Sequence, residues 1–258
     1  MPDTTLDARD TTSIAALECG VWHPRIGRPN RTLVSRRFLR IAAVSDREQM
    51  TRTYRAALGI ATPIVRAWGR LEVEGLERVP LEGPLLIVSN HDSYWDPVAV
   101  GIAAIRRRQI RALSKSSLWK VKGLNKMLTG MGQIPIVRGT GDANALDRAI
   151  EELRGGACVG IFPEGTRSLG RKLRPRSGLG RLAAAVPEAQ IVCAAVWGTT
   201  DITAFPKRPR VRVCFFAPAG GGPQPGESPV ELSMRIVSEL RERAPIAVAG
   251  RKRRKALA

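Results

Sequence analysis

Short, largely apolar runs alternate with segments of helical periodicity along most of this chain. Six such runs lie at 85–88, 110–113, 134–137, 158–162, 191–197 and 211–216. Runs of this length are typical of buried strands, and the segments between most of them have apolar residues at helical spacing. Strands that alternate with helices favour a largely parallel sheet. The sequence therefore predicts an α/β fold, a single domain with a largely parallel or mixed central sheet flanked by helices.

The intervening helices are predicted at 97–105, 117–128, 146–153 and 178–186. A final helix has the clearest start signal, because Ser228 and Glu231 have the spacing of a capping box and Pro229 occupies the first helical position. An apolar stripe from Leu232 to Leu240 continues this helix.

The two ends of the chain differ from this central part. Residues 1–49 are rich in Arg, Thr, Ser and Asp with weak periodicity, and we expect a poorly ordered or loosely attached extension. Thr51–Arg70 forms an amphipathic N-terminal helical segment with a predicted kink at Pro63, which either lies in a lipid interface or packs on the domain. Residues 246–258 form a basic C-terminal tail, so the folded domain is predicted to span 50–245.

The charge balance points to an anionic partner. Lys and Arg number 42 against 23 Asp and Glu, which gives a net charge of +19. Such a charge suits nucleic acid, a membrane surface or a phosphorylated substrate. Aromatic residues are only 5% of the chain and no recognition-motif spacing is visible, so we expect no nucleic-acid partner.

Targeting and redox signals are weak. Met1–Thr5 lacks the basic start of a secretory signal, and the longest uncharged stretches, such as 56–65, are shorter than the ~18 apolar residues of a spanning helix. We therefore expect a peripheral role if the protein meets a membrane. The four cysteines show no Cys-x-x-Cys spacing, so buried thiols in a reducing cytosol and no metal site are expected.

Polar residues follow three of the predicted strands where each strand ends. The run 85–88 leads to Asn90 and His91, the run 134–137 leads to Arg138, and the run 158–162 leads to Glu164–Ser168. Ligands of open α/β sheets bind outside the carboxyl ends of the strands. We therefore expect these three segments to converge on one pocket.

His91 is the candidate general base. Asp96 follows it by five residues across a strand-to-helix turn, so its carboxylate can bond one ring nitrogen and leave the other free to accept a proton. A histidine that is merely satisfied at a strand end stays an open alternative. Asp96, followed by Pro97, is also expected to cap the next helix. The side chain of Asp92 is expected to point away from its neighbour His91.

Arg138 and Arg167 are the candidate phosphate ligands, because a guanidinium presents paired donors that match phosphate oxygens. Gly165 lets the backbone approach a ligand closely. No Gly-x-Ser-x-Gly nucleophile elbow is visible, so direct transfer is favoured over a covalent acyl-enzyme. Walker and dinucleotide glycine patterns are also missing, and we expect no bound cofactor.

Three blocks of the chain resemble those of the glycerolipid acyltransferases, the lysophosphatidic acid acyltransferase family. Asn90–Asp96 matches the Asn-His-x4-Asp block, Gly132–Arg138 resembles the second block, and Phe162–Ser168 the third. The fourth block of the family usually has a proline in a strand, and Cys193 occupies that position here. This departure affects the expected acyl-chain or acceptor preference and leaves the expected chemistry unchanged.

The resemblance implies an acyltransferase domain at 50–245. His91 would deprotonate the acceptor hydroxyl, Asp96 would orient His91, and the alkoxide would attack an acyl thioester of coenzyme A or acyl carrier protein. The acceptor would be 1-acylglycerol 3-phosphate, giving phosphatidic acid, or another lysophospholipid or a glycolipid. Its glycerol phosphate would be bound by four residues of the third block and one of the second: Glu164, Gly165, Thr166, Arg167 and Arg138.

The resemblance also implies a peripheral location on the cytoplasmic face of a membrane. A set of basic residues would bind anionic lipid head groups or the phosphates of the thioester carrier. The alternative is that these residues form only a soluble basic face. These residues are Arg106, Arg107, Arg108, Arg111, Lys115, Lys120, Lys122, Lys126, Arg171, Lys172 and Arg174.

Overall fold

A computed structural model describes residues 50–139, 141–204, 206 and 208–247. The extension predicted at 1–49 and most of the basic tail predicted at 246–258 lie outside these residues. Within the described part, the residues predicted as strands and helices form a central sheet with helices on both faces. The predicted α/β class is therefore confirmed.

The sheet has seven strands in the order β1-β7-β6-β2-β5-β3-β4. Neighbouring strands pair in parallel except β6 and β7, which are antiparallel, so the sheet is mixed. In chain order the strands are β1 (Glu72–Glu74), β2 (Leu85–Ser89), β3 (Ile110–Lys115), β4 (Ile134–Ile136), β5 (Cys158–Ile161), β6 (Gln190–Trp197) and β7 (Arg212–Phe216).

In the ranges that the structure describes, six α-helices cover the sheet: α1 (Arg52–Thr62), α2 (Asp96–Ala104), α3 (Leu124–Gly130), α4 (Ala143–Arg154), α5 (Gly178–Ala185) and α6 (Pro229–Arg243). The core has one apolar layer on each face of the sheet. Leu85 and Ile87 of the central strand β2 pack in the layer of α1 and α2, whereas Leu86 and Val88 pack in the layer of α4, α5 and α6. This alternation explains why β2 is apolar throughout, since successive side chains of a strand point to opposite faces.

The structure adds local detail at three places and corrects one predicted helix. The helix predicted at 117–128 is divided into a 3-10 turn at Ser116–Lys120 and α3, because Gly123 has φ of 83° and interrupts the helical backbone. At Pro63, where a kink was predicted, α1 continues into a π-helical segment that ends at Trp68. Strand β1 was not predicted, because three residues between polar neighbours give little periodic signal. The capping box of α6 is confirmed.

The amphipathic helix α1 packs on the domain with one face and is exposed on the other. Tyr54 and Leu58 are buried in the core, while Ile60 is 79% exposed and Ile64 is also exposed. None of the helices in the described ranges is long and apolar enough to cross a bilayer.

Candidate active site

The turn between β2 and α2 brings His91 onto Asp96. The Nδ1 atom of His91 lies 3.0 Å from Oδ2 of Asp96, and both side chains are buried, at 8% and 0% exposed. The predicted contact is therefore present. Oδ2 also accepts the backbone N–H groups of Asp92 (2.6 Å) and Ser93 (2.7 Å), and Oδ1 accepts the hydroxyl of Thr199. Because this carboxylate acts as an acceptor toward all its partners, Nδ1 of His91 is the donor in their contact, and in the neutral ring the lone pair lies on Nε2.

The prediction that Asp96 caps α2 is wrong. Asp96 is the first residue of the helix, Trp95 occupies the N-cap position, and no side-chain bond caps the end. The carboxylate instead points back into the turn that precedes the helix, where it orders the backbone of Asp92 and Ser93. Its function in the fold is therefore to shape the turn that carries His91.

The segment after β5 holds the backbone of His91 from both sides. The N–H of His91 donates to Oε2 of Glu164 at 2.8 Å, and the C=O of His91 accepts from the N–H of Ser168, also at 2.8 Å. The ring of His91 packs against Phe162, with 4.7 Å between the ring centroids. Residues 162–168 therefore fix the position of His91 as well as contributing side chains to the site.

Asn90 anchors the same turn to the neighbouring strand β6. Its amide donates to the C=O of Val196 at 2.7 Å and accepts from the N–H of Val196 at 2.9 Å. Ser89 adds a bond from its hydroxyl to the C=O of Ala194 at 2.8 Å. The amide side chain thus continues the ladder of hydrogen bonds beyond the end of β2 and explains why a residue with both a donor and an acceptor suits this position.

Sequence reasoning did not identify Arg241, which lies in the last turn of α6. Its guanidinium bonds the carboxylates of Asp92 and Glu164. The side chain of Asp92 therefore binds Arg241 and the hydroxyl of Ser168, whereas the ring of His91 is bonded by Asp96. Burial alone lowers the pKa of Arg241, but its hydrogen bonds to the two carboxylates outweigh this effect and raise the pKa. In the sequence, the only signal was a basic residue near a helix end.

The predicted arginines lie near one another. The guanidinium of Arg167 lies 3.6 Å from the ring centroid of Tyr94 and donates to its hydroxyl at 2.9 Å. Burial lowers the pKa of Arg138, and the positive charges of Arg167 and Arg176 lower it further, while Tyr94 acts in the opposite direction. A site that disfavours the positive charge of Arg138 in this way gains from binding an anion.

Two cavities meet at Phe162, and they lie on opposite faces of the sheet. The first, which we call the basic cavity, has a volume of about 170 Å³ and is lined by Arg138, Arg176, Arg181 and Gly165 above an apolar floor. The second, the apolar cavity, has a volume of about 220 Å³. Its lining comes mainly from α1, α2, α3 and strand β3 and includes Tyr54, Leu58, Tyr94, Val98, Val100, Leu118, Met127, Leu128 and Met131.

The other predicted site residues occupy distinct positions. Gly165 has φ of 68°, a backbone conformation that favours glycine, and a Cβ atom there would lie 2.7 Å from Nε of the Arg176 side chain. Thr166 is exposed and belongs to the lining of neither cavity. Glu164 is buried, with its carboxylate oxygens on Arg241 and on the N–H of His91.

Cys193, which stands where the resembling family usually has proline, is buried in β6 between β2 and β7. It packs in the layer of α4, α5 and α6 and lines neither the basic nor the apolar cavity. In the part of the chain that the structure covers, no group of three or more His, Cys, Asp or Glu side chains is arranged to hold a metal ion.

The mixed α/β sheet thus carries the His91–Asp96 pair at the end of β2, beside the segment after β5. The family model described as "Acyltransferase" matches residues 70–202, which is just over half of the chain. The protein therefore belongs to the acyltransferase family.

Among curated relatives, the chloroplastic 1-acyl-sn-glycerol-3-phosphate acyltransferase LPAT1 of Arabidopsis thaliana is 31% identical over 102 residues, 38% of this chain and 28% of that protein. The 1-acyl-sn-glycerol-3-phosphate acyltransferase of Bacillus subtilis is 28% identical over 100 residues, 39% of this chain and 50% of that protein. The aligned regions thus span at most half the length of these two relatives.

Among solved structures, the chain is similar to the crystal structure of the 1-acyl-sn-glycerophosphate acyltransferase PlsC from Thermotoga maritima. The TM-score is 0.51 at 20% identity, with 86% of this chain and 89% of that chain covered. At this identity the similarity establishes the shared fold.

Proposed function

We propose that the protein transfers a fatty acyl group from an acyl thioester to the free hydroxyl of 1-acylglycerol 3-phosphate and so forms phosphatidic acid. The observation that carries this proposal is the placement of the His91–Asp96 pair. Phe162, which packs on the His91 ring, lines both a basic and an apolar cavity. Such a site suits a substrate with one anionic and one hydrocarbon part, and the curated relatives named above support the same reaction.

The chemical step follows from the tautomer of His91. With Nδ1 protonated and held by Asp96, Nε2 accepts the proton of the acceptor hydroxyl as the oxygen attacks the thioester carbonyl. The tetrahedral intermediate then collapses, the C–S bond breaks, and the proton passes from Nε2 to the departing thiolate. The ester and the free thiol are the products. Asp96 stabilises the transient imidazolium without taking up its proton.

The acceptor phosphate is assigned to the arginine cluster. Arg138 and Arg167 are the predicted ligands, and the lining of the basic cavity adds Arg176 and Arg181 as candidates. No carboxylate among the described residues pairs with Arg138, Arg176 or Arg181, so an anionic ligand would supply their counter-charge. The backbone of Gly165 and Thr166 is proposed to approach the same phosphate, and Glu164 contributes through the backbone of His91.

The acyl chain of the donor is assigned to the apolar cavity. Its side chains, such as Leu58, Val100 and Met131, are apolar and belong to the core layer of α1 and α2. Each methylene transferred from water into such a cavity contributes about 0.8 kcal/mol. The cavity is therefore proposed to favour longer acyl groups over short ones, up to the length that it can hold.

We assign contact with an anionic membrane surface to the region around the apolar cavity. Met127 lines the cavity and is partly exposed, and Val121 nearby is also exposed. The exposed side chains of Lys120, Lys122 and Lys126 surround them, and Ile60 of α1 is exposed as well. Apolar side chains among lysines suit a surface of anionic head groups. Placement on the cytoplasmic face stays a prediction from sequence.

The decisive experiment incubates purified protein with an acyl-coenzyme A and 1-acylglycerol 3-phosphate and measures both phosphatidic acid and released thiol. Equal amounts of the two products are expected from the wild type, and neither is expected above background from His91→Ala. Acyl carrier protein thioesters are compared in parallel to identify the donor. An unchanged rate in His91→Ala would contradict the proposed role of His91, and faster acylation of a lysophospholipid or glycolipid without a terminal phosphate would change the acceptor.

A further inference from the structure

A buried ion cluster connects the C-terminal helix α6 to the two segments that carry the site. Arg241 donates from Nη1 and Nη2 to the two carboxylate oxygens of Asp92 at 2.9 and 3.0 Å. It also donates from Nε to Oε1 of Glu164 at 2.9 Å and from Nη2 to Oε2 at 2.7 Å. The side chains of Asp92 and Glu164 are 3% and 2% exposed, and that of Arg241 is 14% exposed. One guanidinium therefore serves two buried carboxylates.

Both carboxylates connect directly to the backbone of His91. Glu164 accepts the N–H of His91, and Asp92 is the next residue in the chain. Asp92 also accepts the hydroxyl of Ser168, whose N–H donates to the C=O of His91. Residues 164–168 thus make two hydrogen bonds to the backbone of His91, one from Ser168 and one to Glu164. Arg241 binds Glu164 directly and is connected to Ser168 through Asp92.

Loss of Arg241 would leave two buried negative charges side by side. A buried carboxylate without a cationic partner is strongly unfavourable, and two in one place repel each other. The arrangement relaxes when one carboxylate takes up a proton or turns toward solvent. In either case Glu164 no longer holds the N–H of His91 in its present position.

We propose that Arg241 is a positioning residue that sets the geometry of His91 through Glu164 and Asp92. It lies outside residues 70–202, the part that matches the family model, and it acts without touching the reacting atoms. The kinetic part of this proposal rests on the proposed function. Since a displacement of about 1 Å in a reacting group costs on the order of 10²-fold in rate, a positioning residue of this kind has a measurable effect.

Arg235 provides a matched control on the same helix. Its guanidinium bonds Glu227 at 2.8 and 3.0 Å and the carbonyl groups of Ala219 and Gly222, with no contact to the His91 turn. Arg241→Gln is expected to lower kcat roughly 10- to 100-fold with little change in KM. Arg235→Gln is expected to lower the Tm with kcat unchanged. Arg241→Lys, which keeps the charge, tests a milder change if Arg241→Gln folds poorly.

A rescue variant separates positioning from a purely structural role. Adding Asp92→Asn to Arg241→Gln removes one of the two buried charges and keeps an oxygen that can accept from Ser168. We expect part of the lost kcat to return. If the double variant has the kcat of Arg241→Gln while its Tm recovers, Arg241 is a structural tether and the proposal is wrong.

Nuclear magnetic resonance of the histidine rings tests the proposal independently of activity. The chain has two histidines, so the His91 ring signals are assigned by comparison with His91→Ala. Arg241→Gln should shift the ring nitrogen signals of His91, and Arg235→Gln should leave them unchanged. Unchanged His91 signals in folded Arg241→Gln would overturn the positioning role, whereas failure of the acyl-transfer assay in the wild type would overturn the proposed function and leave this result standing.

Discussion

The His91 turn and the basic cavity are neighbours, yet they differ in how completely the protein satisfies its own polar groups. In the turn, Asp96 accepts four donors and each carboxylate of the Arg241 cluster has a partner. In the basic cavity, Arg138, Arg176 and Arg181 have no carboxylate partner among the described residues. The turn is therefore organised by the fold itself, whereas the three exposed arginines of the basic cavity stay accessible to solvent and to an anionic ligand.

The largest effect is expected from removing the base at the centre of the turn. His91→Ala should lower kcat by roughly 10²–10⁴-fold, because general base catalysis contributes about that much. Since the backbone of His91 keeps its bonds to Glu164 and Ser168, the Tm should change little. Steady-state kinetics and thermal unfolding measure the two quantities. A large fall in Tm would mean that the side chain of His91 itself stabilises the turn, contrary to this expectation.

Asp96→Asn removes hydrogen bonds that order the His91 turn and leaves the histidine itself in place. One amide oxygen cannot replace a carboxylate that accepts the N–H groups of Asp92 and Ser93, the Thr199 hydroxyl and Nδ1 of His91. We expect the free energy of unfolding to fall by about 1–3 kcal/mol and kcat to fall as well. Denaturant unfolding and acyl-transfer kinetics check both. Unchanged stability would mean that the turn is not organised by this carboxylate.

Arg138→Gln tests the basic cavity, where the arginine has no carboxylate partner among the described residues. Removing an unpartnered charge should leave stability unchanged or slightly improved, while kcat/KM for 1-acylglycerol 3-phosphate falls by about 10- to 100-fold, the equivalent of one charge-assisted hydrogen bond. Monoacylglycerol, which lacks the phosphate, should react equally slowly with both proteins. Arg154→Gln, at an exposed arginine in the last turn of α4 outside the lining of both cavities, is the control and should behave as the wild type.

Val100→Phe tests whether the acyl chain of the donor occupies the apolar cavity. Val100 is buried and lines the apolar cavity only, so the larger ring should shorten the space for an acyl chain. We expect the preferred donor to shift to chains shorter by a few methylenes, each worth about 0.8 kcal/mol, with KM for the acceptor unchanged. Rates with a series of acyl-coenzyme A lengths measure this shift. An altered KM for the acceptor with no change in chain preference would contradict the assignment.

The smallest effect is expected at Cys193. Burial raises the pKa of its thiol to about 12, so the thiolate is scarce at pH 8 and a thiol reagent should modify Cys193 only after unfolding. Because it lines neither cavity, Cys193→Ala should retain kcat and donor preference and lose roughly 1 kcal/mol of stability. Mass spectrometry after labelling and the chain-length assay test these points. A changed donor preference would mean that Cys193 influences substrate binding.

The sequence was informative where local spacing decides the contact. His91 and Asp96 are five residues apart across one turn, so their contact followed from the chain alone. Spacing predicted the cap of α2 wrongly. The carboxylate of Asp96 could bond amides of the helix or of the preceding turn, and in the structure it bonds those of the turn. The close approach of a ligand to Gly165 stays a prediction, and the structure shows that its φ of 68° favours glycine at this turn.

By itself, the sequence determined the α/β class, the strand ends that carry polar residues, and the His91–Asp96 pair, because each depends on periodicity or on spacing within a few residues. Only the tertiary structure decided that Glu164 and Ser168 hold the backbone of His91, and that Arg241 neutralises Glu164 and Asp92 from 77 and 149 positions away. Such partners leave no periodic trace, since an ion pair needs only two atoms within a few ångströms. Which side chains meet across that distance is set by the order of strands in the sheet and the packing of α6.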